Sequence, residues 1–311
     1  MVLGTIGIVF HLTSHLGLAS TAVAATYALA ILFLRAPLVA AVSAVPTMLA
    51  ARVALRHIDS LHLAAADPGF PVPAPAPWHE LRLTDVAYTY PGTGAAAPFT
   101  VGPLNLSVRR GDTLFVIGAN GSGKSTLAQL LTGLAWQTSG TIAIDGQVLA
   151  PADRAHLRQR CAAVFTDFHV FQDLIGPGGA TADATLRDTW LSHLQLRGKV
   201  PVAGNRLLDT RFSQGQRKRL ALLQAVLEER DILLLDEWAA DQDPHFRQHF
   251  YDVLLPALKA EGKTLIIISH DNAYFHHADH LWHMHEGRLT LLTGEQREAA
   301  CRRPLSVEPP S

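Results

Sequence analysis

The first 58 residues form an almost unbroken apolar stretch, whose only formal charges are those of Arg35, Arg52 and Arg56. A membrane-spanning helix needs about 20 apolar residues, so the stretch is long enough for two closely spaced spans. The small and polar residues 17–21 predict the turn between them, and the second span then starts near Ala22. Arg52 and Arg56 predict that its far end faces the cytosol.

Two other interpretations of this stretch are disfavoured. A secretory signal peptide would have a basic n-region and a shorter apolar run. A helical pair buried in a soluble core would need an apolar partner, which the rest of the sequence does not offer. Within the second span, Arg35 either lines a substrate path, contacts another helix or snorkels to the membrane surface.

A proline-rich segment separates this stretch from the rest of the chain. Asp67–Pro77 contains five prolines in eleven residues, which favours extended polyproline geometry and predicts a semi-rigid linker of ~30 Å. We therefore expect a membrane segment over residues 1–58, a linker over 59–77, a globular domain over 78–295 and a C-terminal tail over 296–311.

The globular domain opens with two alternating segments, Leu81–Tyr90 and Leu104–Val108, which predict antiparallel strands. Three compact apolar runs lie further along, at Thr113–Ile117, Ile232–Leu235 and Leu265–Ile268. Such runs are typical of buried strands in a parallel sheet. The pattern therefore predicts an α/β fold.

A glycine-rich segment follows the first of these runs directly and leads into a helical pattern from Leu127. This strand–loop–helix context is the one that a phosphate-binding loop requires, because backbone N–H groups and the helix N-terminus then point at the phosphates. Lys124 is expected to hold the β- and γ-phosphates, and Ser125 to bind Mg²⁺ through its hydroxyl oxygen. The residues predicted to bind ATP in this loop are Gly118, Ala119, Asn120, Gly121, Ser122, Gly123, Lys124, Ser125 and Thr126.

Two further predicted strands end in chemically useful side chains. Asp236 and Glu237 follow one strand, and strand alternation predicts that the two carboxylates point in different directions. Asp236 is then expected to reach Mg²⁺, while Glu237 faces an attacking water. His270 follows the other strand, at the carboxyl end where open α/β sheets bind ligands, and we expect it to contact the γ-phosphate.

The segment that decides the class is Phe212-Ser-Gln-Gly-Gln216. Ser213 and Gln216 form a capping box, which predicts a helix from this point through Leu227. The order of phosphate loop, this segment, Leu-Leu-Leu-Asp-Glu and Ile-Ser-His resembles that of an ABC ATPase, over residues 78 to about 292.

The resemblance implies a parallel core sheet with an antiparallel β-subdomain and a helical subdomain, preceded by an all-α transmembrane remnant. It also implies that two nucleotide-binding domains sandwich two ATP molecules. Tyr90 would stack on adenine in preference to Tyr88, and Asp241 and Asp243 would form the D-loop. The signature residues, which would face the ATP of a partner copy, are Ser213, Gln214, Gly215 and Gln216.

Further segments of the sequence are similar to those of the pyoverdine-like exporters, which export cyclic peptides and siderophores in Gram-negative bacteria. Most ABC ATPases have Pro-Thr-Ser-Ala-Leu-Asp where this chain has Trp238–Asp243. Thr166 replaces the usual Q-loop glutamine, which leaves open whether Thr166, Asp167 or a water completes the Mg²⁺ shell. Because such exporters have six transmembrane helices per half, we expect residues 1–58 to be the fifth and sixth of a truncated set.

The resulting hypothesis is an ATPase that drives export of a peptide or siderophore across the inner membrane. It would be a multi-pass protein with its nucleotide domain in the cytoplasm. It would need a second nucleotide-binding domain, which a homodimer supplies. Its cofactors would be ATP and Mg²⁺. Three alternatives stay open: an ATPase subunit served by a separate permease, a truncated remnant that does not transport, and a soluble ABC ATPase acting on nucleic acid or ribosomes.

Composition adds little beyond this. A net charge of −1 with 17% charged residues does not suggest a nucleic-acid partner. Cys161 and Cys301 lie far apart and predict free thiols. The histidines between His276 and His285 match no metal-site spacing, so we expect ordinary polar side chains. The run Arg217–Arg219 predicts a solvated helix face.

Overall fold

A computed structural model describes residues 2–15, 20–60, 77–90, 99–209 and 211–302. The chain divides into two compact units, Met1–Phe70 and Pro71–Ser311. Most of the predicted linker over 59–77 lies outside the described residues.

The first unit contains two helices, α1 (Val2–His15) and α2 (Thr21–Ser60). The long α2 helix begins where the second span was predicted, and residues 25–58 are long and apolar enough to cross a membrane. At 1.5 Å per residue the 14 residues of α1 extend about 21 Å, short of the ~30 Å hydrocarbon core. The described helices therefore provide one candidate span where two were predicted. The predicted turn lies largely on residues 16–19, outside the described ranges.

The apolar side chains of α2 are exposed, as Phe33, Val42 and Met48 illustrate. An exposed apolar helix is unlike the core helix of a soluble domain, which buries its apolar face. This exposure agrees with the predicted membrane segment.

The second unit is built on two sheets and a small hairpin. The strands of the sheets are β1 (Glu80–Thr89), β2 (Thr100–Arg109), β3 (Thr113–Ile117), β4 (Ser139–Ile144), β5 (Gln147–Val148), β6 (Cys161–Val164), β9 (Ile232–Asp236), β10 (Thr264–Ile268), β11 (His280–His285) and β12 (Arg288–Leu292), and those of the hairpin are β7 (Val202–Ala203) and β8 (Arg206–Leu207). One is antiparallel and has the order β2–β1–β4–β5, and the other is six-stranded with the order β12–β11–β3–β10–β9–β6. In the six-stranded sheet all neighbours are parallel except β11 and β12. The predicted antiparallel pair and the three predicted buried strands are confirmed.

Helices lie around these sheets. The described helices of this unit are α3 (Lys124–Leu131), α4 (Arg154–Arg160), α5 (Ala184–His193), α6 (Gln214–Leu227), α7 (Pro244–His249), which continues through a π-turn at Phe250–Leu254 into α8 (Leu255–Ala260), and α9 (Gly294–Arg302). The helix predicted to run through Leu227 is confirmed by α6.

The core forms two layers because successive strand residues point to opposite faces of the sheet. On β3, Phe115 and Ile117 belong to one buried cluster, together with residues of α5 to α8. Leu114 and Val116 belong to the other, together with the antiparallel sheet and α3. This packing fixes the carboxyl ends of β3, β9 and β10 side by side at one edge.

The C-terminal helix α9 crosses the predicted boundary between domain and tail at residue 295. Ala300 on this helix is buried in the first of the two clusters. At least this part of the predicted tail therefore packs on the globular unit.

Candidate functional site

A glycine-rich loop connects β3 to α3, as the sequence predicts. Gly118 has a φ of +149°, and a Cβ atom at this position would meet the carbonyl oxygen of Met284 at 2.1 Å. Only glycine fits such a close approach of two backbones. The N–H of Gly287 also donates to the carbonyl of Ser122 at 2.8 Å. The turn between β11 and β12 therefore supports the loop from behind.

Lys124 is the first residue of α3, at the end of this loop. Its Nζ donates to the carbonyl oxygens of Gly118 at 2.7 Å and Ala119 at 2.9 Å, and the residue is only 6% exposed. Burial lowers the pKa of Lys124, while the negative charges of Glu237 and Asp236 act in the opposite direction. A buried ammonium group at the start of a helix is suited to an anionic ligand.

Asp236 ends β9 and is 4% exposed. Burial, and next the negative charge of the adjacent Glu237, raises the pKa of Asp236 to about 6. Such an environment favours either a proton or a bound cation.

Glu237 lies just outside β9, with a left-handed backbone at φ +49°. Strand alternation was therefore the wrong reason for expecting the two carboxylates to diverge. The reversed backbone of Glu237, whose N–H donates to the carbonyl of Ile268 at 3.0 Å, sets the direction of its side chain.

His270 follows β10, directly beside β9. Its Nε2 lies 3.2 Å from Oε1 of Glu237. The hydroxyl of Tyr251 lies 2.8 Å from Oγ of the neighbouring Ser269. The same hydroxyl donates to the carboxylate of Asp271. Burial raises the pKa of Tyr251, which therefore stays protonated and can donate.

These groups border two adjacent cavities, which share Asn120 and Glu237. The first has a volume of about 440 Å³ and the second of about 600 Å³. The first is lined by Tyr90, Phe99, Asn120, Gly121, Gly123, Lys124, Ser125, Thr126, Thr166, Asp236 and Glu237. The second is lined by Ile117, Gly118, Ala119, Asn120, Glu237, His270 and Phe275. The predicted phosphate loop, carboxylates and histidine thus come together at one edge of the sheet.

Tyr90 lies at the opening of the first cavity and is 38% exposed. Its hydroxyl lies 2.9 Å from Oγ1 of Thr126. Phe99 stacks against it with ring centroids 6.4 Å apart, and Tyr88 packs edge-on at 4.9 Å. Phe99 was not among the residues predicted to bind ATP. The one signal for it is an isolated aromatic residue just before β2.

Thr166 lines the first cavity together with Ser125 and Asp236, so three oxygen donors face the same space. Asp167 is not among the lining residues, but its negative charge helps to raise the pKa of Asp236.

The start of α6 has the predicted capping box. The N–H of Gln216 donates to Oγ of Ser213 at 3.4 Å, and the N–H of Ser213 donates to Oε1 of Gln216 at 3.2 Å. Neither these residues nor Gln214 and Gly215 are among those that line the two cavities. The predicted signature and the predicted phosphate loop of one chain therefore occupy different places.

The solvated face predicted for Arg217–Arg219 is wrong for two of its three residues. Lys218 and Arg219 are 3% and 9% exposed. Lys218 forms an ion pair with Asp241 at 2.7 Å, and Arg219 one with Asp243 at 3.0 Å. A sequence run of cations cannot indicate this burial, because the acidic partners lie more than twenty residues away along the chain.

Among the histidines, His276 and His277 lie with Asp252 in a group whose ligand atoms are within 4.8 Å of one another. The sequence does not predict this carboxylate beside the histidines, because it belongs to the π-turn after α7. Each histidine already has a protein partner: His276 Nδ1 lies 2.9 Å from the carbonyl of Ala273, and His277 Nε2 lies 3.0 Å from Oδ1 of Asp252. Hydrogen bonds within the chain thus account for the group.

Comparison with known proteins gives a consistent result. The profile of the ABC transporter family matches residues 101–240. The chain is 39% identical over 279 residues to the ATP-binding protein SyrD of Pseudomonas syringae pv. syringae. The aligned region covers 83% of this chain and 48% of SyrD. It is 30% identical over 230 residues to an ATP-dependent lipid A-core flippase of Paraburkholderia xenovorans, covering 70% of this chain and 38% of the flippase. The chain therefore spans about half the length, or less, of these relatives.

Solved structures show the same fold. A bacterial Atm1-family ABC exporter with ATP bound superimposes with a TM-score of 0.72 at 21% identity, over 98% of this chain and 55% of the exporter. A dimeric ATP-binding cassette in a post-hydrolysis state, bound to ADP and phosphate, gives a TM-score of 0.56 at 22% identity, over 69% of this chain and 99% of that chain.

Proposed function

Since the chain belongs to the ABC transporter family, we propose that it binds and hydrolyses Mg-ATP to drive export across a membrane. The observation that carries this proposal is the first cavity, where the glycine-rich loop, Lys124, Asp236 and Glu237 line one space. A phosphate cradle, two carboxylates and a hydroxyl donor are the set that phosphoryl transfer to water requires.

ATP would enter with its phosphates against the loop. Backbone N–H groups between Gly118 and Thr126 and the N-terminus of α3 offer donors and a partial positive charge to the phosphate oxygens. Lys124 would exchange its bonds to loop carbonyls for bonds to the β- and γ-phosphates. Tyr90, held by Thr126 and stacked on Phe99, offers a ring face for adenine at the cavity opening.

The residues present fit Mg²⁺. Ser125, Asp236 and Thr166 line the same cavity, and oxygen donors are the ligands that Mg²⁺ prefers. The buried Asp236 carboxylate beside Glu237, with its raised pKa, is an environment that a divalent cation stabilises. When bound, Mg²⁺ would neutralise charge on the β- and γ-phosphate oxygens.

Glu237 would act as the general base. It borders both cavities, so it can face a water beside the γ-phosphate, and a positioned base takes the proton as that water attacks. His270 would fix the Glu237 carboxylate through Nε2 and contact the γ-phosphate from the neighbouring strand end.

A second copy of the domain would complete each site. Ser213 and Gly215 lie at the free N-terminus of α6, where backbone N–H groups suit an anion, but they do not line the cavities of their own chain. They would therefore serve the ATP of the partner, with Asp241 and Asp243 at the same interface.

The apolar α2 helix supports a membrane location, and the likeness to an ATP-dependent lipid A-core flippase supports ATP-driven movement of a substrate across that membrane. The cargo that we propose, a cyclic peptide or siderophore, rests on the sequence features around Trp238–Asp243 and Thr166.

The proposal is tested with the purified full chain in proteoliposomes. We expect Mg²⁺-dependent release of phosphate from ATP, while Lys124→Ala loses binding of a fluorescent ATP analogue. A candidate cyclic peptide is then added, with and without ATP, to ask whether the cargo accumulates. A full chain that binds the analogue but releases no phosphate would contradict the proposed activity. Lys263→Met, which removes a lysine far from the cavities, is the control for Lys124.

A further inference from the structure

Lys218 is a buried cation to which the proposed function gives no role. It lies on α6, four residues beyond the start of the helix, and is 3% exposed. Its Nζ donates to the carbonyl oxygen of Glu237 at 2.7 Å and pairs with Oδ2 of Asp241 at 2.7 Å. Its own carbonyl accepts a bond from Nε1 of Trp238 at 2.8 Å. Both ends of Lys218 are therefore tied to the segment that begins with Glu237.

Lys218 holds the carbonyl of Glu237, a residue with an unusual backbone conformation. Glu237 has a left-handed φ of +49°, a conformation that residues other than glycine adopt rarely and only where the surroundings impose it. Its N–H is held by Ile268 of β10, and its carbonyl is held by Lys218 of α6 and by the N–H of Ala240 at 3.3 Å. Two different elements thus fix the peptide groups on either side of the proposed base.

The same helix contacts the rest of this segment. Nε2 of Gln242 donates to the carbonyl of Gly215 at 3.2 Å. Arg219 donates to Oε1 of Gln242 at 2.9 Å and to Asp243, and its guanidinium lies over the ring of Phe246 at 3.3 Å. The start of α6 and residues 237–243 are therefore connected by several hydrogen bonds that are partly or fully buried, and Lys218 takes part in two of them.

We propose that Lys218, with Asp241, is a positioning residue that couples engagement of the partner's ATP at the start of α6 to the orientation of Glu237 in its own chain. This inference rests on the proposed function. A displacement of α6 when Ser213 and Gly215 bind the partner's nucleotide moves Nζ of Lys218, and with it the carbonyl of Glu237 and the carboxylate of Asp241. Hydrolysis in the two sites of a dimer is then cooperative.

Asp241 extends this connection from the buried Lys218 toward the protein surface. Asp241 is half exposed while Lys218 is buried. The carboxylate therefore reaches from the surface, where a partner would lie, to the buried ammonium group.

The test compares Lys218→Met and Lys218→Arg with the parent, all as full chains in the same proteoliposomes. Methionine keeps the length of the side chain but removes the charge and the donors. We expect its kcat to fall about 10- to 100-fold, since a small misplacement of a catalytic group has effects of this size. We expect the KM for ATP to stay within about twofold, because Lys218 lines neither cavity. The Hill coefficient for ATP should fall toward 1, and arginine should restore part of both.

Lys263→Met is the matched control. Nζ of Lys263 also donates to a backbone carbonyl, that of Arg230, at 2.9 Å, but at the opposite end of the sheet. It should leave kcat and the Hill coefficient unchanged. If Lys218→Met fails to fold, Asp241→Asn takes its place, since this half-exposed position tolerates the change. Its kcat should fall about threefold or more, again with loss of cooperativity.

The behaviour of the parent chain distinguishes failure of this inference from failure of the proposed function. A parent that hydrolyses ATP cooperatively, together with a folded Lys218→Met or Asp241→Asn variant that keeps its kcat and Hill coefficient, overturns this inference alone. A parent that binds ATP without hydrolysing it overturns the proposed function and this inference with it.

Discussion

His270 and Glu237 meet at the ends of two neighbouring strands, with Nε2 of the histidine 3.2 Å from Oε1 of the glutamate. Parallel pairing of β9 and β10 places Ile268 opposite Asp236, so the residues that follow these two positions are brought together by the sheet itself. The contact gives the carboxylate one preferred orientation at the boundary of the two cavities.

Glu237→Gln should slow ATP hydrolysis by ~10²–10⁴-fold, the usual contribution of a positioned general base. Glutamine keeps the shape and the contact with His270 but cannot accept a proton, so nucleotide affinity should hold and an ATP-bound dimer should accumulate. Phosphate release and fluorescent-ATP titration measure the two effects. Glu298→Gln, on the exposed face of α9, is the control. Turnover within twofold of the parent would rule out Glu237 as the base.

Thr166→Ala should change the Mg²⁺ dependence of hydrolysis by less than about threefold. Ser125, Asp236 and retained waters would fill most of the shell, because Mg²⁺ keeps several waters in such sites. Asp167→Asn is the comparison, since Asp167 acts on Asp236 through its charge. Activity should be titrated with Mg²⁺ for both variants. Collapse in Thr166→Ala alone would identify its hydroxyl as a ligand.

Asp236→Asn should raise the melting temperature at pH 7.5 in the absence of Mg²⁺ and nucleotide. The pKa of Asp236 is raised from 3.8 to about 6 by burial, so the folded protein holds its proton more tightly than the unfolded chain. The ionised carboxylate therefore lowers the free energy of unfolding as the pH rises from about 4 through about 6. The gain from asparagine should vanish near pH 4.

Asp243→Asn should instead lower the melting temperature at pH 7.5. The N–H of Phe246, and next the charge of Arg219, lowers the pKa of Asp243, so its ionised form stabilises the fold. Calorimetry of both variants at pH 4 and pH 7.5 checks the pair. A lower melting temperature for Asp236→Asn at pH 7.5 would show that its carboxylate is not destabilising.

Cys161 should resist thiol reagents in the folded protein at pH 8. Burial raises the pKa of its thiol to about 12, and the thiolate is the reactive form. Labelling with a chromogenic disulfide should therefore modify Cys301 alone within minutes, and both cysteines after denaturation. Cys301→Ser should abolish the rapid phase. Rapid labelling of Cys161 in that variant would contradict the raised pKa of its thiol.

The sequence predicted those parts of the molecule that depend on local pattern. β3, β9 and β10 are continuous apolar runs, and the start of α6 has its own cap, so neither needs information from elsewhere in the chain. The side chains that these elements present, including Lys124 and His270, were predicted with them.

The features missed depend on the partner that a residue meets in the fold. From the sequence, Lys218 is predicted to be a solvated cation, because its ion pair with Asp241 is formed only in the fold. Phe99 likewise has no predicted role, because its stacking on Tyr90 is formed only in the fold. Asp252 joins the histidines only because the π-turn faces the segment after β10. In each case the sequence contains the residue, but the contact is set by packing between distant elements.

The position of β3 in the sequence determines when the site can form during translation. Its two hydrogen-bonded neighbours, β10 and β11, both follow it by more than a hundred residues, and Gly287 holds Ser122 from the same late part of the chain. During translation, segments that leave the ribosome first tend to fold first. Here the glycine-rich loop must wait beside an unpaired strand until β11 has emerged, so the nascent chain gains its affinity for ATP only when the nucleotide domain is nearly complete.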